Sequence, residues 1–167
     1  MLKAAVDVFY RGETAKAVCL LFNHWQVEDV VSIHTAVISQ VAAYEPGAFY
    51  KRELPCLLAV LQQVDLSSLD AMIINGYVFL DSEGKKGLGA HLYEALIPKV
   101  PVIGVAKTSF YQNRSAVQVY RGKSKSPLFV TAVGMDVNDA AFCIEVMSGG
   151  YRMPTMLQWL DRLTKEA

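Results

Sequence analysis

The side chains best placed to do chemistry in this chain are three oxygen donors set where apolar segments stop or are interrupted. Asp7 lies inside the otherwise apolar run "LKAAVDVFY", Glu53 opens the helical stretch around Pro55, and Asn75 ends the apolar run "LDAMIIN". A charge is rarely buried without a partner or a metal. Asp7 therefore asks for a salt bridge with Arg11, Lys16 or Lys107, the commoner reason for such a residue, or for a cation. Glu53 can equally cap its own helix in a purely stabilising role. Brought together at one sheet edge, two carboxylates and an amide oxygen form the hard-ligand set that Mg²⁺ takes while keeping several waters. Attack of a metal-bound water on a phosphodiester is the chemistry such a set supports.

The elements that must position these residues follow from periodicity. "LKAAVDVFY" alternates and is rich in β-branched and aromatic residues, so it reads as a strand; "TAKAVCLLFNHW" and "VEDVVSIHTAVI" follow after short turns. The three make an antiparallel meander. Pro46-Gly47 then punctuates a loop, and Leu54, Leu57, Leu58, Val60 and Leu61 recur at helical spacing. Pro55, lacking an amide donor, is expected in the first turn of that helix or at a kink. "LDAMIIN" and "VPVIGVAK" are apolar without alternation, as strands covered on both faces are, and "GLGAHLYEALI" between them is a short helix. "SAVQVYRGKSKSPLFVTAVG" reads as a hairpin over a basic turn. "NDAAFCIEVMSGG", with an Asn cap, and "PTMLQWLDRLTKEA", with Pro at its first position, close the chain as helices. The order predicts an α/β fold over residues 1–167 as one domain: a mixed β-sheet of ribonuclease H-like type, an antiparallel three-strand meander plus parallel strands, flanked by helices. No GxGxxG follows the first strand, which argues against a dinucleotide-binding sheet.

Composition narrows the class further. The 167 residues are 53% hydrophobic and 19% charged, which suits a core-rich globular protein and excludes a disordered one. No apolar run reaches the length of a membrane helix, no signal peptide is expected, and Cys19, Cys56 and Cys143 stand singly as reduced thiols do in a cytoplasmic protein. The 16 basic and 16 acidic residues cancel, so global charge does not decide for or against nucleic acid. Locally, Lys107, Arg114, Arg121, Lys123 and Lys125 occur with no acid among them and with Tyr111 and Tyr120 interleaved. This segment is either a solvated basic loop or a surface for nucleic acid, whose binding would then be salt-sensitive.

At residues 44–55 the sequence "YEPGAFYKRELP" resembles the endonuclease V signature, Y-x-P-G followed by an aromatic-apolar run and R-E-x-P. Supporting stretches fall in the family's order: "VDVFY", a strand ending before a glycine, "GLGAHL", "PVIGVAK" and "SPLFVTAVG". The resemblance runs from about Ala4 to Leu163. It implies a ribonuclease H-like, Mg²⁺-dependent nuclease (Mn²⁺ a possible substitute) that cuts DNA or RNA near a deaminated base, chiefly hypoxanthine, with no protein partner deducible. By the same resemblance Asp7, Glu53 and Asn75 are the metal ligands, and Lys107 joins them as a catalytic residue holding the scissile phosphate. Tyr44, Pro46 and Gly47 form a wedge that fills the gap left by an extruded base. Gly47 and Gly76 let backbone approach that base, and Arg52 contacts phosphate or orients Glu53.

Three departures bear on activity. Asn75 stands where the family has an Asp, which keeps an oxygen ligand but removes a charge, so metal affinity should fall and catalysis can be impaired. "FLDSEGKK" stands where the family has His-Pro-Arg. A family His after the late strand is replaced by Met135, followed by Asp136. Asp81, Glu83 and Asp136 are the candidates for a compensating carboxylate.

Overall fold

The computed structural model describes residues 1–43, 45–46, 48–110 and 113–166. Seven strands form one sheet in the order β3-β2-β1-β4-β5-β7-β6. β1 (Leu2–Arg11), β2 (Thr14–Phe22) and β3 (Ser32–Ile38) are the antiparallel meander expected from their short connections; β3 alternates in burial, whereas β1 and β2 are covered on both faces. β4 (Leu69–Asn75) lies parallel to β1 and to β5 (Val102–Ala106), and β6 (Val117–Val119) and β7 (Leu128–Val133) pair as the expected hairpin, with β7 antiparallel to β5.

Two helices cover each face. Ala4, Val6 and Val8 of β1 pack with Cys56, Leu57 and Val60 of α1 (Tyr50–Leu61) and Leu88 and Leu92 of α2 (Leu88–Ala95). Ala5 of β1, with Val18, Leu20 and Ile103, packs against Ile144 of α3 (Val137–Val146) and Met156, Leu157 and Leu160 of α4 (Thr155–Lys165). Because strand side chains alternate, Asp7 shares the face of Ala5 and looks toward α4, whereas Tyr10 falls on the α1 face.

Three local expectations are corrected. Pro55 is the sixth residue of α1, beyond its first turn. The carbonyl it leaves without a donor is that of Lys51, an exposed residue whose surroundings can supply water. α3 is capped by Asp136, whose Oδ1 accepts the amides of Asn138 and Asp139, so the Asn lies two residues inside the cap. Pro154 precedes α4 at the cap position, a one-residue shift that leaves its role as a helix starter intact.

Arg121 departs most from the sequence reading. It is buried in the turn between β6 and β7 and donates to the carbonyls of Met147, Gly149, Tyr151 and Arg152. Arg152 in turn donates to the carbonyls of Lys107 and Pro127. These two arginines tie the hairpin, the end of β5 and the segment leading into α4 into one rigid support. Arg121 therefore belongs to the scaffold, and the exposed basic surface is reduced to Lys107, Arg114, Lys123 and Lys125. Tyr111 lies outside the described residues.

Candidate active site

The ladder between β1 and β4 ends at Val6 and Ile74, so Asp7 is the first residue of β1 beyond it. Parallel strands that part at their carboxyl ends open a crevice there. A cavity of about 380 Å³ occupies it, lined among others by Asp7, Asn75, Lys107, Gln158 and Asp161. Asn75 projects from the exposed end of β4, and Lys107 is exposed just past β5. The Gly76 amide donates to Val105 at 2.9 Å, continuing the parallel pairing, so Asn75-Gly76 is a strand tip. Gly76 holds φ +130°, and a Cβ there would meet nothing within 4 Å, which leaves open space above the tip. Gly104 shapes the tip from beside it, since a Cβ would come within 2.5 Å of the Gly76 carbonyl and 2.7 Å of Thr131 Oγ1.

Asp7 is buried, and its Oδ1 accepts the Val8 amide at 2.8 Å. Arg11 and Lys16, two partners considered for it, donate instead to the carbonyls of Lys165 and Glu166 and hold the end of α4 against the β1–β2 hairpin. Among the described residues Asp7 forms no ion pair. Burial pushes its pKa up to about 6, and the nearby Asp161 carboxylate adds to the rise; the Val8 amide, Lys165 and Lys107 oppose it.

Glu53, on α1, lies near enough to Asp7 for the two charges to interact. It is 5% exposed, and its Oε2 is buried without a hydrogen-bond partner among the described residues. Burial first and the charge of Asp7 second push its pKa up to about 8, against the pull of Arg52. A carboxylate that only capped its helix would not be buried with an orphan oxygen. Glu53 is not among the residues lining the cavity, and neither are Arg52, Gly76 and Pro46. Pro46 is exposed, in a turn closed by the Ala48 amide on the Glu45 carbonyl, while Tyr44 and Gly47 lie outside the described residues.

The acid missed by the sequence reading is Asp161. It sits on α4 between Leu157, Leu160 and Thr164, which face the core, and Lys165, which it contacts at 3.0 Å. Its place at the border of the apolar stripe was the available signal. The proposed substitutes lie elsewhere: Asp136 caps α3, Met135 packs in the core beside it, and Asp81 accepts the amides of Glu83 and Lys85 inside a small turn closed by a Phe79–Lys86 bridge. None of Asp81, Glu83 and Asp136 lines the cavity.

Among the described residues no three His, Cys, Asp or Glu side chains are grouped so that they could hold a metal ion. That does not disfavour Mg²⁺, which is held by one or two carboxylates plus waters and substrate oxygens rather than by an all-protein cage. The orphan Glu53 oxygen, the unpaired Asp7 and the exposed Asn75 amide fit such a partly hydrated cation.

The two buried carboxyls make a prediction for the protein without divalent cations. The folded chain holds the Glu53 proton up to about pH 8, the unfolded chain only to about 4.5. Folding is thus favoured fully below pH 4.5, and the advantage is lost as pH rises through 8. Glu53→Gln, which stays neutral, should melt close to the parent at pH 4 and clearly above it at pH 9. The difference should reach a few kcal/mol, at about 1.4 kcal/mol per pH unit between the two values. Melting curves in EDTA at both pH values check this, and a difference independent of pH would refute it.

A family model described as Endonuclease V matches residues 2–141. Among solved structures, endonuclease V from Streptomyces avermitilis is 23% identical with a TM-score of 0.74, over 99% of this chain and 80% of that one. Endonuclease V from Ciona intestinalis, solved with a 24mer DNA containing an inosine followed by a ribo-adenosine, is 17% identical with a TM-score of 0.81, over 98% and 84%. Argonaute from Marinitoga piezophila matches more distantly, at 8% identity and a TM-score of 0.55, over 99% of this chain and 30% of that one. The mixed sheet is the ribonuclease H-like architecture expected from the sequence.

Proposed function

This chain belongs to the endonuclease V family, and on that premise we propose that it is a metal-dependent nuclease that cuts a phosphodiester near a deaminated base, chiefly hypoxanthine, in DNA or RNA. The observation that carries the reading is the meeting of Asp7, Asn75, Lys107 and Asp161 in one cavity, with the orphan carboxylate of Glu53 coupled to Asp7. The solved relative bound to inosine-containing DNA supports the substrate class.

Asp7, Glu53 and Asn75 would hold Mg²⁺ or Mn²⁺, with Asp161 beside them. When bound, the cation supplies a water acidified for attack and neutralises charge on the phosphate. Lys107, exposed at the mouth, holds a non-bridging phosphate oxygen and aligns the phosphate with the cavity. Asp161 can accept a proton from a water at the cavity, being a carboxylate only half exposed and close to Asp7. The space above Gly76 receives the extruded base, and the Tyr44–Gly47 segment takes its place in the stack. Arg52 and the exposed cations of residues 107–125 bind backbone phosphates.

Asn75 supports a second reading, a homologue that binds such nucleic acid but cuts it poorly. One comparison separates the two. The protein is incubated with paired single- and double-stranded oligonucleotides that differ only in inosine or guanosine, with Mg²⁺ or Mn²⁺. A nuclease cuts at a fixed position near inosine, and the impaired homologue binds the inosine strands selectively without cutting. Indifference to inosine in both binding and cleavage would rule out both readings.

A further inference from the structure

Arg52 sits beside Glu53 in sequence, yet among the described residues it makes no ion pair with Glu53 or any other carboxylate. Its guanidinium lies 3.8 Å from the centroid of the Tyr10 ring. Among the described residues its Nε is buried without a hydrogen-bond partner, as is the Tyr10 hydroxyl. The two residues come from elements that the fold forces together: Tyr10 points to the α1 face of β1, and Arg52 lies in the first turn of α1. Tyr10 is moreover in the part of β1 that runs on past the end of the β4 ladder, on the face that packs against α1.

We propose that Tyr10 is a positioning residue whose ring holds the Arg52 guanidinium flat, so that neither Arg52 nor Glu53 is consumed in a mutual salt bridge and Arg52 stays free for a substrate phosphate. An aromatic face attracts a guanidinium through its quadrupole without neutralising it. A carboxylate in that place would satisfy the arginine and cancel the charge that a phosphate needs. With Nε buried, the terminal Nη donors remain in the plane for a phosphate while one face is occupied by the ring. The Glu53 carboxylate, unpaired by its neighbour, stays available to the cation. Arg52 is thus offered as the phosphate contact, with Tyr10 acting through it. The phosphate contact rests on the nuclease reading above; the stack itself does not.

The test measures binding of a labelled inosine-containing oligonucleotide in EDTA, where nothing is cut, for the parent, Tyr10→Phe, Tyr10→Leu, Arg52→Lys, Arg52→Met and the double variant Tyr10→Leu/Arg52→Met. Tyr10→Phe keeps the ring and should bind within about twofold of the parent. Tyr10→Leu and Arg52→Met should each weaken binding by roughly 5- to 30-fold, the range a cation–ring contact commands. The double variant should be no worse than either single one, because both remove the same interaction. Arg52→Lys, which keeps the charge but not the planar fork, should bind more weakly than the parent and more tightly than Arg52→Met. Additive losses, full affinity in Arg52→Lys, or a Tyr10→Phe as weak as Tyr10→Leu would overturn the proposal. The ring-current shift of the Arg52 side-chain protons in the unliganded protein gives a readout independent of substrate. It should persist in Tyr10→Phe and vanish in Tyr10→Leu, and its absence in the parent would refute the stack. If the parent shows that shift but neither binds an inosine strand nor, with Mg²⁺ or Mn²⁺, cuts it, the nuclease reading fails and the stack stands.

Discussion

Asp7→Asn should reduce single-turnover cleavage of an inosine-containing strand on the order of 10²–10³-fold, the cost of losing one preorganised charged group, and should at the same time stabilise the fold. The two effects have one cause. Asn is nearly isosteric, and its side-chain oxygen can still accept the Val8 amide, so packing is preserved. The substitution removes a charge held in a buried position with no ion pair among the described residues, where burial lifts the pKa from 3.8 to about 6. Keeping such a charge in the free protein works against stability, and a bound cation reverses the balance. Above pH 7 in EDTA the variant should therefore melt higher than the parent, by on the order of 2–3 kcal/mol at about 1.4 kcal/mol per pH unit. Quench-flow cleavage and thermal melts on the same preparations test both halves. A residue kept for structure would show the opposite pattern, with loss of stability and cleavage lost only to the extent that the protein unfolds.

Asn75→Asp should act in the other direction. Asn75 is exposed at the tip of β4 and lines the same cavity as Asp7 and Asp161. Its amide oxygen can ligate a hard cation but contributes no charge, and charge count is a main determinant of affinity for such cations. The variant should lower the Mg²⁺ concentration for half-maximal cleavage by on the order of tenfold, about 1.4 kcal/mol. Because Asn75 is exposed, the added carboxylate costs little to desolvate, and the melting temperature without cations should barely move. A Mg²⁺ titration of cleavage rates decides the point. An unchanged midpoint would mean that Asn75 is not a ligand.

The frame of this site was legible because the strands that build it are written plainly. β1 is rich in β-branched and aromatic residues between short turns, β4 after Asp70 and β5 are apolar runs, and β4 and β5 each end beside a polar residue that the proposed site uses. Asp7 and Glu53 stood out because a carboxylate in an apolar context is costly, and the structure shows both buried without ion pairs among the described residues. Asp161 did not stand out, because in "LQWLDRLTK" an acid four residues before a lysine is the ordinary pattern of a solvated helix face, and it does make that pair. Only the packing of α4 over β1 brings it to Asp7. Arg121 misled for the opposite reason: a basic turn looks like a surface, and nothing local announces that four carbonyls will close around one guanidinium. Met135 and Asp136 drew attention as the place of a missing histidine, whereas their chain position serves the core and the cap of α3.

The central claim is that the crevice beside the ends of β1 and β4 holds the cation that cleavage requires. Crystals of the protein with an uncleaved inosine-containing oligonucleotide, soaked in Mn²⁺ and measured for anomalous scattering, test it most directly. The account predicts a peak at the edge formed by Asp7, Glu53, Asn75 and Asp161, lost in Asp7→Asn crystals. A peak confined to other sites, or an empty edge under conditions in which the protein cuts, would contradict it.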